Sequence, residues 1–135
     1  MAAQTRGSFT QPSGAKYAKA QCLAASASPS TADLAWAAGF IEGEGNFTPV
    51  RVRMRSGERR GYARVTAFQN NQEPLNKLVA MFGGSIRRVQ RPRGTELAGA
   101  WTVNGARARG VMLTLFSFLS ARRRKQIAFA LNGGN

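Results

Sequence analysis

The chain has 135 residues, enough for one domain with its own core. Its 20 lysines and arginines against 6 acids give a formal charge of +14, so the expected partner is a polyanion, with nucleic acid as the first candidate and a basic ribosome-associated role as the alternative. The absence of histidine excludes histidine-based catalysis, and the single cysteine, Cys22, excludes an internal disulfide and makes a cysteine zinc site implausible.

Two end segments are predicted to lie outside the folded domain. Residues 1–30 contain no acid and are rich in Ala, Ser, Gln and Gly, which favours a disordered basic N-terminal arm, with an organellar transit peptide as the alternative. Residues 132–135 are expected to form a disordered tail, which leaves 31–131 as the domain. No apolar run approaches the ~20 residues of a membrane span, so no membrane partner is expected.

Hydrophobic spacing and turn residues predict eight elements. Apolar residues three and four apart indicate helices, alternation indicates strands, and polar segments bounded by glycine indicate turns. In chain order we expect a helix over 32–43 capped by Ser30 or Thr31, strands over 46–54 and 62–69, a helix over 72–82, strands over 85–90 and 97–103, a helix opened by residue 104 or 105, and a helix over 122–131. This α-β-β-α-β-β-α-α order is typical of an α+β domain with an antiparallel four-stranded sheet.

The first predicted helix has a face of very small residues. Ala35, Gly39 and Gly43 are four residues apart, with Ala38 beside them. A glycine within a helix costs about 1 kcal/mol relative to alanine, so two of them indicate that another backbone comes close. That backbone belongs either to the protein's own sheet or to the same helix of a second copy. For the second copy, the predicted dimer interface comprises Ala35, Ala38, Gly39, Glu42 and Gly43.

Two of the six acids, Glu42 and Glu44, stand at the C-terminal end of this helix. A helix C-terminus has partial negative charge, which disfavours carboxylates, and a twofold axis would bring two copies of Glu44 near each other. A divalent cation would relieve that repulsion, whereas ordinary surface glutamates are the alternative interpretation. Without histidine and with one cysteine, the metal ligands must be oxygens, which favours Mg²⁺ or Mn²⁺.

Residues 37–45, AAGFIEGEG, resemble the signature of the LAGLIDADG homing endonucleases in its variant with Glu in the eighth position. Later segments resemble the family in the same order: Gln69 at a strand end, LNKL at 75–78, FGGSI at 82–86, WTV at 101–103 and LSARRRKQ at 119–126. The resemblance runs from about residue 34 to residue 131. The motif is present once, and single-motif members of the family are homodimers.

This resemblance implies a role for several residues. Glu44 matches the metal-binding acid, joined by the backbone carbonyl of Gly43, and Glu42 matches an acid that supports the helix end. Gln69 matches a polar residue that positions the nucleophilic water. Arg123 matches the place where relatives have a lysine near the scissile phosphate, with Arg124 and Lys125 as the other candidates. The catalytic residues implied are Glu44, Gln69 and Arg123.

The predicted strands are rich in arginine. In the first predicted strand, the period of two is expected to separate the arginines at 51, 53 and 55 from the apolar face. Two β-ribbons with alternate side chains directed at base edges are suited to the major groove of DNA. The expected DNA-binding residues are Arg51, Arg53, Arg55 and Arg64 on the first hairpin and Arg87, Arg88, Arg91 and Arg93 on the second. A merely solvated strand face would mix charges of both signs, but Glu58 in the turn is the only acid near the first four.

These patterns together predict a Mg²⁺-dependent, site-specific double-strand DNA endonuclease that acts as a homodimer with one Glu44 metal centre per subunit. The alternative is a protein of the same fold that does not cleave, either a maturase that binds intron RNA or a nucleic-acid-binding regulator. The expected location is the cytoplasm or nucleoid of a bacterium or phage host, with an organelle as the alternative.

Overall fold

The structure is a computed structural model that describes residues 21–26, 28–90 and 97–135. Its elements are α1 (Thr31–Glu44), β1 (Gly45–Arg53), β2 (Arg59–Gln69), α2 (Gln72–Phe82), β3 (Ser85–Gln90), β4 (Leu97–Asn104), α3 (Gly105–Leu115), a 3₁₀ turn (Phe116–Phe118) and α4 (Ala121–Leu131). The predicted element order and α+β class are confirmed. No helix among these residues is long and apolar enough to cross a membrane.

The four strands form one antiparallel sheet in the order β1-β2-β4-β3. β1 pairs with β2 along the whole of β1, from Gly45 opposite Ala67 to Arg53 opposite Arg59. The first turn therefore occupies only residues 54–58, because backbone pairing continues through the polar residues at 59–61, which precede the predicted strand over 62–69. Gly57 has a φ of 91° there, a left-handed conformation that glycine adopts readily.

The two faces of the sheet differ in what covers them. Residues opposite each other in a pair point to the same face, and successive residues alternate. On one face, here called the helix face, Phe47, Val65, Trp101 and Val103 are buried and belong to the same apolar cluster as residues of all four helices. The other face, here called the open face, holds the alternate positions, such as Thr48, which is opposite Arg64.

The core lies between the helix face and the helices. Its largest fully buried side chains from the helices are Ile41, Leu75, Leu78, Met112, Leu115 and Ile127. Trp101 of the central strand β4 is also fully buried, and its indole Nε1 donates a hydrogen bond to the carbonyl of Gly83 (2.9 Å). This bond satisfies the one polar group of the largest core side chain, which would otherwise be costly to bury.

Helix α1 is fixed at both of its ends. Ser30 is its N-cap, and a capping box pairs the Ser30 hydroxyl with the amide of Asp33 (3.1 Å) and the Asp33 carboxylate with the amide of Ser30 (3.0 Å). At the other end a Cβ on Gly45 would stand 2.5 Å from Cγ2 of Ile41. Only glycine therefore lets β1 leave so close to the helix, and this sharp junction places Glu44 at the start of the sheet.

Residues 21–26, which fall in the predicted arm, contact the corner between α2 and β3. The amide and carbonyl of Leu23 exchange hydrogen bonds with Gly84 (2.7 and 2.8 Å), and Arg107 of α3 donates to the same Leu23 carbonyl (2.6 Å). In the predicted tail, the amide of Gly134 donates to the carbonyl of Phe129 (2.8 Å). These contacts extend the hydrogen-bonded structure on both sides of 31–131. Residues 1–20 lie outside the described part.

Candidate catalytic and nucleic-acid-binding site

Glu44, the predicted metal ligand, is the last residue of α1 and is exposed. Its carboxylate forms no hydrogen bond or ion pair with any described residue. It stands at the negative end of the helix dipole, where a carboxylate is disfavoured unless a cation is near. Glu44 is therefore an available anionic oxygen ligand at the junction between the helix layer and the sheet.

The small-residue face of α1 is exposed next to Glu44. Ala35, Gly39 and Gly43 are all solvent-exposed, and a Cβ built on either glycine meets no described atom within 4 Å. Packing within the described part of the chain thus does not require glycine at either position. Ala38, predicted at the same interface, is instead 2% exposed and belongs to the core, because it lies on the side of α1 that faces the sheet.

Glu42, also predicted at the interface, is bound within the chain. Its carboxylate accepts hydrogen bonds from the amide (3.0 Å) and hydroxyl (2.7 Å) of Ser120, the N-cap of α4. These bonds, with a smaller contribution from Arg123 and Arg122, lower the pKa of Glu42 below its ordinary value. The stabilisation is therefore present above the pKa of Glu42 in the unfolded chain and is lost as the pH falls through its lower pKa in the folded protein.

Arg123, the predicted phosphate-facing residue, is only 6% exposed. Its Nε and Nη2 both donate to the backbone carbonyl of Glu42 (3.1 and 2.8 Å), and its Nη1 donates to Gln126 (2.8 Å). Burial, with the nearby Arg122, lowers the pKa of Arg123 below its ordinary value. Arginine nevertheless stays charged. The structure thus gives this guanidinium a backbone partner at the end of α1.

The other cations of this basic run are more accessible. Arg124 donates to the carbonyl of Leu119 and lies over the ring of Phe116, so it too is engaged with the protein. Lys125 is exposed and has no hydrogen bond to a described residue. Arg122 is exposed and approaches Glu42 at 3.9 Å. Of the three candidates named from the resemblance, Lys125 is the one whose charge is available to an outside anion.

Gln69 is the last residue of β2, and its side-chain oxygen accepts a hydrogen bond from the amide of Asn70 (2.9 Å). Because Gly45 pairs with Ala67, Glu44 and Gln69 lie at the same end of the β1–β2 pair. The structure therefore places these two predicted catalytic residues at the same end of the sheet, next to the C-terminus of α1.

The strand register divides the predicted arginines between the two faces. Arg51 and Arg53 pair with Gly61 and Arg59, and they alternate in step with the buried Phe47, so they belong to the helix face. This corrects the expectation of a basic face separate from the apolar one. The reason is that β1 extends past the helix layer, so its helix face is apolar at one end and basic at the other.

The two arginines of β3 lie on opposite faces of the sheet. Arg88 lies on the helix face and donates to Gln72 of α2 (2.9 Å), whereas Arg87, opposite Ala100, lies on the open face. Arg55 is exposed in the first turn and not in a strand. Arg91 and Arg93 fall outside the described residues.

Arg64 is the most firmly oriented arginine of the open face. Its Nε donates to Asn104 Oδ1 (2.8 Å) and its Nη2 to the hydroxyl of Tyr62 (3.2 Å). Arg60, which was not predicted to contact DNA, shares this face because it is opposite Val52. The spacing of Arg60, Tyr62 and Arg64 along one strand was the signal that places them on one face.

The oxygen atoms around Glu44 are of the kind that a hard divalent cation prefers, but the described part of one chain has too few side-chain ligands there to hold the cation. No group of three or more His, Cys, Asp or Glu side chains close enough to hold a metal occurs among residues 21–26, 28–90 and 97–135. One chain thus offers the carboxylate of Glu44 and neighbouring backbone carbonyls, all oxygens of the kind that Mg²⁺ prefers. Among the described residues, Glu44 is the one carboxylate at this end of α1 that is not already bound within the chain, since that of Glu42 accepts from Ser120.

The fold is similar to that of solved homing endonucleases. The structure of I-CvuI in complex with its target has a TM-score of 0.57 at 20% identity, over 75% of this chain and 64% of that one. The group I intron-encoded I-CeuI complexed with DNA gives 0.57 at 16%, over 76% and 54%. The archaeal intron-encoded I-Vdi141I complexed with DNA gives 0.56 at 20%, over 74% and 65%.

This chain spans less than two thirds of the length of each of these three proteins. No family model and no curated protein matches its sequence. At such identities the similarity is one of fold. The chain therefore has the LAGLIDADG homing endonuclease fold, the fold that the resemblance of residues 37–45 implies.

Proposed function

We propose that this protein is a homodimeric, Mg²⁺-dependent endonuclease that cuts double-stranded DNA at a specific site. The observation that carries the proposal is the exposed Glu44 carboxylate beside a helix face whose glycines meet no other described residue of the chain. A second copy packed on that face by a twofold axis places two Glu44 carboxylates near each other, and each subunit then acts on one strand.

In this proposal Glu44 and the carbonyl of Gly43 would hold the metal. A bound Mg²⁺ would supply a Lewis acid that activates water and stabilises charge on the phosphate oxygens. Gln69, at the same end of the β1–β2 pair, would orient the attacking water through its side-chain amide. Lys125 supplies an exposed positive charge for the phosphate. No histidine or cysteine is needed for this chemistry.

The open face is the proposed DNA-contacting surface. The net charge of +14 favours a polyanion, and arginine is the usual partner of guanine edges in the major groove. The solved proteins I-CvuI, I-CeuI and I-Vdi141I were each crystallised with DNA. Open-face arginines are accordingly assigned to bases, and those of the helix face to phosphates or to the fold.

A randomised duplex library tests the function directly. With Mg²⁺ we expect cleavage of both strands at one long, pseudo-palindromic site, and no cleavage with EDTA. Tight binding of a duplex without cleavage at any metal concentration would contradict an endonuclease and favour the regulator. A preference for structured RNA over duplex DNA would favour the maturase.

Exchanging single arginines tests the division between the two faces. Arg64→Gln should relax the preference at one base position in each half-site, at a cost of about 1–3 kcal/mol for the preferred base. Arg53→Gln should weaken binding to all sequences and reduce the dependence of log affinity on log salt by about 1. Selection of bound duplexes without Mg²⁺, at two salt concentrations, measures both. A changed base preference in Arg53→Gln would contradict the division.

A further inference from the structure

The C-terminal end of α1 and the N-terminal end of α4 are joined by reciprocal hydrogen bonds. From α1, the Glu42 carboxylate accepts from the amide and hydroxyl of Ser120, which begins α4. The Ser120 hydroxyl in turn accepts from the amide of Arg123 (3.3 Å). A side chain of α1 therefore satisfies donors that the first turn of α4 leaves without an intrahelical partner.

The return contact runs from Arg123 to the backbone of α1. Two of its nitrogens converge on a single carbonyl, that of Glu42, while a third holds Gln126 on the next turn of α4. The last carbonyls of a helix have no intrahelical partner, and a cation there is favourable to the dipole. The last turn of α1 is thus held through its main chain and not only through a side chain.

The burial of Arg123 distinguishes its contact with α1 from an ion pair on the protein surface. Its side chain is 7% exposed, and the nearest carboxylate oxygen of Glu42 is 4.0 Å from Nε, too far for a hydrogen-bonded ion pair. The guanidinium is therefore desolvated chiefly for a backbone oxygen. In a buried ion pair the cost of desolvation offsets much of the attraction between the charges, so ordinary stability is a weak reason for placing the guanidinium here.

We propose that Arg123 is a positioning residue for Glu44 and does not face the scissile phosphate. Glu44 is two residues after the carbonyl that Arg123 binds, and each residue of a helix turns by about 100°. Slippage or fraying of this last turn would therefore turn the Glu44 carboxylate away from the metal. Ser120 and Glu42 assist by fixing α4 against α1, and the phosphate-facing charge is left to Lys125.

This inference rests on the proposed function, because it assumes that Glu44 binds a metal. The test uses the full-length protein and Mn²⁺ alone, with binding followed by electron paramagnetic resonance, which requires neither DNA nor turnover. Arg123→Met should weaken Mn²⁺ binding at least tenfold, Arg123→Lys should restore part of the loss, and Ser120→Ala should weaken it less. Circular dichroism would verify that each variant is folded at the temperature of the titration.

Arg124→Met is the matched control. Arg124 is the neighbouring arginine of α4 and also donates to a backbone carbonyl, that of Leu119, but it forms no hydrogen bond with α1. It should bind Mn²⁺ like the wild type. Equal Mn²⁺ affinity in folded Arg123→Met and Ser120→Ala would overturn the positioning role while leaving the proposed function intact. A wild type that binds no Mn²⁺, or binds it equally after Glu44→Gln, would overturn the metal site itself and this role with it.

Discussion

Glu44→Gln is expected to abolish DNA cleavage while leaving DNA binding almost unchanged. The substitution keeps the shape of the side chain but removes the one available anionic ligand at the end of α1. Metal stabilisation of charge in phosphoryl chemistry contributes several kcal/mol, so the rate should fall on the order of a thousandfold or more. Single-turnover cleavage of the selected site measures the rate, and electrophoretic mobility shift without Mg²⁺ measures binding.

Glu58→Gln provides the control for the change of charge. It removes one negative charge from the first turn, at the far end of the β1–β2 pair from Glu44. Any general gain in DNA affinity should appear in both variants, whereas loss of cleavage should appear only in Glu44→Gln. Because Glu44→Gln removes both facing carboxylates, one from each subunit, its metal-free dimer should be at least as tight as that of the wild type. Cleavage by Glu44→Gln at the wild-type rate would refute the assignment of Glu44.

Features with a local cause were predictable from the sequence. The bounds of α2, Gln72–Phe82, follow from its apolar spacing and the glycines after it, and the structure confirms them. The cap at Ser30 was likewise predictable, because a hydroxyl three residues before Asp33 forms a capping box. Each of these depends only on residues within one or two turns of the chain.

The face of each β1 arginine was not predictable from alternation alone. β1 has apolar residues at both parities, Phe47 and Val52 among them, so a period of two is satisfied with either face towards the core. The packing of Phe47 beneath the helices decides which alternate residues of β1 face the core. That contact involves α4, which is distant in sequence. Consequently Arg51 and Arg53 were expected on a face separate from the apolar one, whereas they share the face of Phe47.

The partner of Arg123 was also beyond local analysis. Arg123 and Glu42 are 81 residues apart, and apart from helical periodicity no local pattern shows that Arg123, and not Arg122 or Arg124, reaches α1. Helical periodicity alone gives one hint, since Arg123 is four residues before the buried Ile127 and so shares its face. The resemblance thus pointed to a short basic segment for the phosphate-facing cation, but the packing of α4 decides which cation of that segment is exposed.

Gly39→Leu is expected to convert the dimer to a monomer and to remove double-strand cleavage. The leucine side chain would stand between two α1 helices whose backbones approach across the small-residue face. Within one chain the change should do no harm, because a Cβ on Gly39 meets no described atom within 4 Å and leucine is favoured over glycine in a helix by roughly 0.8 kcal/mol. Light scattering coupled to size exclusion measures the mass.

Gly110→Leu supplies the matched comparison for this variant. Gly110 is also an exposed helical glycine at which an added Cβ would meet no described atom within 4 Å, but it lies on α3, away from the small-residue face of α1. It should therefore gain the same helix propensity and remain a dimer that cleaves DNA. A dimeric Gly39→Leu would show that the subunits associate elsewhere, and a metal centre built from two Glu44 carboxylates would then lose its geometric basis.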